Sequence, residues 1–237
     1  MKNNPYVGPR PYSRADRDNF YGRNREARDL FDMMMAERVV LFYAQSGAGK
    51  SSLLNARVIP DLEEQGFRVL PPLRVSSDAP PGIDAAAIPN IFVFSTLLSL
   101  ADPDTPPAAL TDHTLLSFLQ PLNLTAPRLS ERSEASESPI LPILIWDQFE
   151  ELFTTHRDHW EEATNFFEQV AAALEGIPEL GALFVMREDH IAAIEPYAPL
   201  LPRRLRARFR MERMGYEGAL EAIRKPALHA GCPFDEG

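Results

Sequence analysis

The sequence has a single cysteine, Cys232, and no uninterrupted apolar run as long as a membrane span. A lone thiol cannot form an internal disulfide bond, which agrees with a reducing compartment. The first residues, Met-Lys-Asn-Asn-Pro-Tyr, also lack the apolar stretch of a secretion signal. These absences together predict a cytoplasmic protein without membrane-spanning segments.

The sequence is also poor in positive charge. Its 24 lysines and arginines face 34 aspartates and glutamates, which gives a formal net charge of −10. Because binding to a nucleic-acid backbone draws on a basic surface, general affinity for nucleic acid is disfavoured. With 237 residues, 45% of them hydrophobic, the chain has the size and composition of one large domain, or of one domain with a small appendage.

Strands and helices are predicted to alternate along the chain. Runs rich in β-branched, aromatic and other apolar residues predict five strands, at 39–43, 67–75, 140–146, 183–186 and 205–211. Amphipathic or apolar segments predict helices at 24–38, 51–58, 91–100, 111–119 and 158–174, with Pro60 breaking or kinking the second. The polar or Pro-rich stretches 76–90 and 123–139 are predicted to be flexible insertions. This order predicts a three-layer α/β domain with a mainly parallel five-stranded sheet.

A phosphate-binding loop, Ala-Gln-Ser-Gly-Ala-Gly-Lys-Ser at 44–51, stands between the first predicted strand and the helix after it. Gly47 and Gly49 let the backbone form a tight nest for anions, and Ala44 takes the place of the usual first glycine. Lys50 can reach the β- and γ-phosphates, and the Ser51 hydroxyl can bind Mg²⁺. The predicted nucleotide-binding residues of the loop are Ala44, Gln45, Ser46, Gly47, Ala48, Gly49, Lys50, Ser51 and, at the α-phosphate, Ser52.

A second metal ligand is predicted at the end of the third strand, where Ile143-Leu144-Ile145-Trp146 leads into Asp147. Glu150 and Glu151 follow, three and four positions further on, where the first turn of a helix would bring both back toward the site. We expect one of them, with Glu151 favoured, to orient or deprotonate the attacking water. The alternative is that each acid only stabilises a helix N-terminus.

Further basic and histidine residues are weaker candidates. Arg187 directly follows the fourth strand, where it would sense the γ-phosphate or stabilise charge in the transition state; alternatively, it is a surface arginine. Arg206, Arg208 and Arg210 alternate along the fifth strand, which favours a charged, solvated edge strand over a surface for nucleic acid or an acidic partner. His156 and His159 have a metal-compatible spacing, but no third ligand is evident.

Three blocks of the sequence together resemble one protein family. These are residues 20–23, Phe-Tyr-Gly-Arg, with Glu26 after them; the phosphate-binding loop; and residues 147–153, Asp-Gln-Phe-Glu-Glu-Leu-Phe. They are similar to the STAND class of AAA+-related NTPases, and in particular to the novel STAND NTPase 1 type. Residues 184–189 resemble the sensor strand of that family, although an aromatic residue is commoner at the position of His190. Residues 211–234 resemble the helices of its lid.

The resemblance implies a molecular switch that binds ATP with Mg²⁺, hydrolyses it slowly and acts in signalling, possible settings being bacterial defence or regulation. GTP is the alternative nucleotide. By the same analogy Tyr21, Gly22 and Arg23 would lie near the nucleotide base. The implied organisation is an N-terminal segment with this block at 1–23, an NTPase core at 24–211 and the start of a helical lid at 212–237.

The resemblance also implies partners, because proteins of this class continue into further domains. We therefore expect self-association, or a sensor or effector module on a longer chain or on a separate polypeptide. Two other functions stay open: a DNA-linked AAA+ ATPase of the origin-recognition or transposition-helper type, and a scaffold that holds nucleotide without hydrolysing it.

Overall fold

The computed structural model describes residues 4–76, 79–81, 83–122, 124, 141–155 and 160–234. The strands are β1 (Val39–Ala44), β2 (Phe67–Val69), β3 (Leu141–Trp146), β4 (Gly181–Arg187) and β5 (Ala207–Met211). The α-helices are α1 (Asn24–Ala36), α2 (Lys50–Leu53), α3 (Ile59–Glu64), α4 (Ile91–Leu100), α5 (Leu115–Leu119), α6 (Glu151–Thr154), α7 (Trp160–Gly176), α8 (Ile191–Ile194) and α9 (Tyr216–His229). Short 3₁₀ turns lie at Arg14–Asn19, Ala85–Ala87, Pro107–Leu110, Gln120–Leu122, Glu188–His190, Ala198–Leu200 and Pro202–Leu205.

The five strands form one sheet in the order β2-β3-β4-β1-β5, and every pairing is parallel. The prediction of an α/β fold with a parallel five-stranded sheet is confirmed. Since β4 lies between β1 and β3, the carboxyl ends of these three buried strands are neighbours at one edge of the sheet. The loops that follow them therefore meet in one place.

Both faces of the sheet are buried, as the nearly continuous apolar runs of its strands predict. Along β1, Val40 and Phe42 face one cluster, with α1 and the helical run after the phosphate-binding loop. Leu41 faces the other cluster, with α4, α5 and α7. Two hydrophobic layers, each between the sheet and a set of helices, make up the three-layer arrangement.

An aromatic cluster stabilises the second of these layers. Trp146, fully buried at the end of β3, stacks on Phe184 with ring centroids 5.0 Å apart. Its indole Nε1–H donates to the Thr96 hydroxyl at 3.1 Å, so the one polar atom of the ring is satisfied. Phe166 of α7 meets Trp146 edge-on at 5.9 Å and packs against Phe149 at 5.9 Å. The cluster holds the chain firmly on both sides of Asp147.

The helix predicted at 51–58 is longer in the structure and does not end before Pro60. A π-helical turn at Leu54–Val58 joins α2 to α3. In this turn the Ile59 N–H donates to the Leu54 carbonyl, five residues back. Pro60 then falls in the first turn of α3, directly after the π-helical turn.

Two predicted strands are shorter in the structure. The ladder of β2 stops at Val69, before Pro71 and Pro72, and pairing with β3 resumes only at the bridge between Leu73 and Trp146. Strand β5 begins at Ala207 because residues 203–205 have positive φ values of 50–56°. Arg206 therefore precedes the strand on which it was predicted.

Other predicted segments are only partly described. Helix α5 begins at Leu115, later than predicted, where Thr114 caps it. Helix α7 is described from Trp160 onward, and the predicted residues just before it lie outside the described ranges. The proposed insertion at 123–139 lies outside the described residues except for Leu124, as do His156 and His159. None of the helices in the described ranges combines the length and apolarity of a membrane span.

We expect Phe166→Ala to lower the free energy of unfolding by about 3–5 kcal/mol, because it leaves a cavity among large aromatic rings. Phe234→Ala is the matched control, since Phe234 is 56% exposed. Urea unfolding followed by circular dichroism measures both. Equal midpoints for the two variants would contradict the packing described for the cluster.

Candidate functional site

The phosphate-binding loop connects β1 to α2 at the carboxyl edge of the sheet. Gly47 and Gly49 have φ values of 73° and 95°, in the left-handed region that favours glycine. A Cβ atom built on either glycine would meet no other atom within 4 Å. The two glycines are therefore required by the backbone conformation, and the space beside them is open. Such space is what an anion needs to reach the backbone N–H groups.

The Ser51 hydroxyl donates to Oδ2 of Asp147 at 2.9 Å, across 96 residues of sequence. The parallel sheet makes this contact possible, since Ser51 follows β1 and Asp147 follows β3. A hydroxyl and a carboxylate are hard oxygen ligands of the kind that Mg²⁺ prefers. The two residues predicted to hold the metal are thus adjacent, and their chemistry fits it.

Lys50 lies between the loop and the acids at the strand ends. Its ammonium is 3.5 Å from the carbonyl oxygen of Ala44. Burial lowers the pKa of Lys50, while the carboxylates of Glu150 and Asp147 act in the opposite direction. The cleft therefore holds a partly desolvated cation with few partners, which a phosphate group would stabilise.

Glu150 and Glu151 point to different surroundings. Oε2 of Glu150 accepts from the backbone N–H of Arg187 at 3.1 Å, and this residue lines the cleft beside Lys50. Glu151 instead accepts a hydrogen bond from the Ser76 hydroxyl and is not part of the cleft wall. The side chains of Glu150 and Glu151 diverge after the turn at 147–150, in which Gln148 has a φ of 59°.

Arg74 supports this turn and was missed in the sequence, where it is one residue of a predicted strand. Its Nη1 donates to the backbone carbonyl of Asp147 at 3.3 Å and also to Oε1 of Gln148. The bond to Asp147 connects the segment after β2 directly to the turn at 147–150. No local sequence signal marks it, because the contact is purely tertiary.

Arg187 lines the same cleft at the end of β4. Its guanidinium pairs with Asp189 at 2.6 Å, and this contact lowers the pKa of the Asp189 carboxyl. The other basic candidates are elsewhere: Arg208 pairs with Glu195 at the sheet edge, and Arg210 pairs with Glu188. Much of the basic stripe of β5 is thus neutralised within the chain.

The cleft has a volume of about 300 Å³ and is lined by the loop, the Asp147 turn and Arg187. The predicted residues in its wall are Ser46, Gly47, Gly49, Lys50, Ser51, Ser52, Asp147, Glu150 and Arg187. Its remaining wall is Gln148 and a segment near the N-terminus, Pro9-Arg10-Pro11, which the sequence did not indicate. Ala44 and Gln45 lead into the loop from β1, and Ala44 is fully buried.

The block at 20–23 lies on the other side of the loop. Arg23 is only 4% exposed; it pairs with Glu26, and its Nη2 donates to the Ala48 carbonyl at 3.3 Å. Arg23 and Ala48 line a second cavity, of about 430 Å³, together with Ser46, Gly47, Arg213 and Met214. Tyr21 is outside that cavity wall. The structure thus brings Arg23, but not Tyr21, to the loop.

Tyr21 and Gly22 contact α9 instead. The Tyr21 hydroxyl is 3.3 Å from Nδ1 of His229, and the Lys225 ammonium lies 5.7 Å from the centre of its ring. Gly22 has a φ of 82°, and a Cβ atom there would be 2.2 Å from the carbonyl oxygen of Gly218. The two backbones touch with no side chain between them. The segment that contacts the loop therefore also contacts α9.

Comparisons with known proteins identify a family and a similar fold. A family model described as Novel STAND NTPase 1 matches residues 5–237. The chain is similar in fold to a Walker-type ATPase of Pyrococcus abyssi, with a TM-score of 0.60 and 15% identity over 96% of this chain and 63% of that one. The ORC2 protein of Aeropyrum pernix in its ADP form gives a TM-score of 0.42 and 16% identity over 90% of this chain and 51% of that one. No curated protein matches the chain.

The chain therefore spans less than two-thirds of the Pyrococcus ATPase, 63% of its length.

We expect Gly22→Ala to displace α9, because the added methyl group would collide with the Gly218 carbonyl and the positive φ disfavours alanine. Hydrogen–deuterium exchange should then become faster at residues 216–229 than in the wild-type protein. Gly66→Ala is the control, since Gly66 has a similar positive φ of 87° but a Cβ atom there meets nothing within 4 Å. Unchanged exchange in Gly22→Ala would show that the close contact does not hold the helix.

Proposed function

The chain belongs to the novel STAND NTPase 1 family, whose model matches residues 5–237, and on this premise we propose that it binds ATP with Mg²⁺ as a slowly hydrolysing, nucleotide-dependent switch. The observation that carries the proposal is the contact between Ser51 and Asp147, at 2.9 Å, beside Lys50. This contact puts the residues proposed to bind Mg²⁺ beside the residue proposed to bind phosphate, at one point of the sheet edge.

Each group in the cleft has a definite role in the proposed binding. The backbone at Gly47 and Gly49 offers N–H donors to the phosphates, and Lys50 neutralises their charge. Ser51 and Asp147 would hold Mg²⁺. The metal ion would reduce the negative charge on the phosphate oxygens, which otherwise repels an attacking water. ATP is proposed over GTP on the resemblance alone.

For hydrolysis, we assign the water-orienting role to Glu150 in place of Glu151. Glu150 lines the cleft, and its contact with the Arg187 N–H fixes one carboxylate oxygen; no residue in the described part of the chain donates to the other, which can accept from water. Glu151 is engaged with Ser76. Arg187 would stabilise the developing negative charge if its guanidinium turned from Asp189 toward the γ-phosphate.

The switch itself is proposed to run through the N-terminal block. Arg23 reaches the Ala48 carbonyl inside the loop, and Gly22 directly before it touches Gly218 of α9. The Tyr6 hydroxyl adds a bond to the Ile223 carbonyl, at 2.7 Å. A change in loop conformation on nucleotide binding would therefore reach α9 through two adjacent residues. A sensor or effector module, or a second copy of the chain, would respond to that movement.

A DNA-linked ATPase is less well supported. DNA binding through the arginines near the fifth strand would favour that alternative, but Arg208 and Arg210 form ion pairs with Glu195 and Glu188. Arg206 lies outside β5. A scaffold would bind nucleotide in the same cleft but would not hydrolyse it. The hydrolysis experiment below therefore separates the scaffold from the proposed switch.

We expect Lys50→Ala to weaken binding of Mg²⁺–ATP by about tenfold to a hundredfold, the range of a charge-assisted contact to phosphate. Isothermal titration calorimetry measures the affinity. Arg25→Ala, which removes a cation that is 89% exposed on α1, should bind like the wild type. Equal affinity in Lys50→Ala and the wild type would remove the basis of the site assignment.

We expect Glu150→Gln to abolish ATP turnover while nucleotide stays bound, because an amide can still accept from the Arg187 N–H but is not a base. Glu151→Gln, the matched neighbour, should keep most of the activity. Phosphate release under saturating ATP measures turnover, and calorimetry confirms binding. If Glu151→Gln lost turnover and Glu150→Gln kept it, the water-orienting role would belong to Glu151. A wild-type protein without turnover would favour the scaffold.

A further inference from the structure

The cleft holds an arginine that neither the phosphate-binding loop nor the Asp147 turn supplies. Arg10 lies in the Pro9-Arg10-Pro11 segment that forms one wall of the cleft beside Ser51 and Lys50. We infer that Arg10 is a further nucleotide-binding residue, which contacts the phosphates from the N-terminal segment and is positioned by Asp16. The inference rests on the proposed function, because it names an additional ligand of the same polyphosphate.

The backbone on both sides of Arg10 is fixed against the loop. Gly8 makes a left-handed turn with a φ of 74°, and each proline restricts its own φ. The Tyr12 N–H donates to the Ser52 hydroxyl at 3.2 Å, directly after the metal-binding serine. The Tyr12 ring packs edge-on against Phe20 at 5.2 Å. Arg10 is thus held next to the loop by contacts other than its own.

Asp16 orients the Arg10 side chain by a two-point contact. Its carboxylate accepts from Nη1 at 2.7 Å and from Nη2 at 2.8 Å. The carboxylate is itself fixed by the N–H of Ser13 at 2.8 Å and by the Ser13 hydroxyl at 2.5 Å. The second Nη1–H donates to the Pro11 carbonyl at 3.1 Å. This arrangement determines the plane of the guanidinium before any ligand arrives.

Two donors of the guanidinium remain. No described residue accepts from Nε–H or from the second Nη2–H of Arg10, and these two form the side edge of the planar group. That edge matches two oxygens of one phosphate group, the geometry for which arginine is suited. Arg10 can therefore bind phosphate without giving up Asp16.

The charge of the cleft favours such a contact. Asp147 and Glu150 place two carboxylates in its wall, while Arg187 is paired with Asp189. Lys50 is then the loop residue whose positive charge would balance the negative charge of a bound polyphosphate. Arg10 is itself paired with Asp16, so it adds hydrogen-bond donors for the phosphates rather than an uncompensated charge.

The test compares Arg10→Ala with Arg14→Ala by calorimetry, using Mg²⁺ with ADP and with a non-hydrolysable ATP analogue. Arg14 belongs to the same segment but pairs with Glu63 and does not line the cleft. We expect at least about tenfold weaker binding for Arg10→Ala and wild-type affinity for Arg14→Ala. Arg10→Lys, which keeps the charge and loses the planar edge, should fall between the wild type and Arg10→Ala.

A merely structural role is tested by thermal unfolding without nucleotide. We expect Arg10→Ala and the wild type to unfold at the same temperature, and the stabilisation by added nucleotide to be smaller in the variant. Wild-type affinity in both Arg10 variants would overturn the inference. If Lys50→Ala still loses binding in that case, the proposed function stands and only the role of Arg10 falls; no binding by the wild type would remove both.

Discussion

Parallel pairing of β3, β4 and β1 is the constraint on which the site depends. Because strands of a parallel sheet all end at the same edge, residues 51, 147 and 187 reach one cleft from three separate parts of the chain. The strands can pair in this way because both faces of the sheet are covered by helices. The apolar core therefore determines the geometry of the polar site, although it contributes no side chain to the chemistry.

The N-terminal segment adds a second level of organisation. It contacts the phosphate-binding loop at two places, where Tyr12 binds Ser52 and where Arg23 binds the Ala48 carbonyl. Between these contacts the chain forms the 3₁₀ turn at Arg14–Asn19, whose Arg17 pairs with Asp61 of α3. Residues before the first strand thus contact the loop from two sides.

The features that the sequence predicted are those encoded by local patterns. The loop at 44–51, the strand before Asp147 and the position of Arg187 each depend on a few consecutive residues, and the parallel sheet follows from their order. The choice between Glu150 and Glu151 could not be made in this way, because it depends on the left-handed backbone at Gln148. Arg74 was missed because its contact joins segments that are distant in sequence, and Arg10 because only the fold brings its segment to the wall of the cleft. The π-helical turn before Pro60 was missed because no residue pattern specifies it.

The glycine contact between residues 22 and 218 has an energetic consequence for α9. Only Pro226 and Ala227 of this helix are buried, and its apolar Ile223 and Leu228 are 51% and 66% exposed. Lifting the helix would therefore uncover little apolar surface and would break a few hydrogen bonds to tyrosines. A shift from 1% to 99% of one state requires a ligand that binds the favoured state more tightly by about 5.5 kcal/mol. Because little buried surface holds α9, the proposed switch would have to overcome only a weak contact.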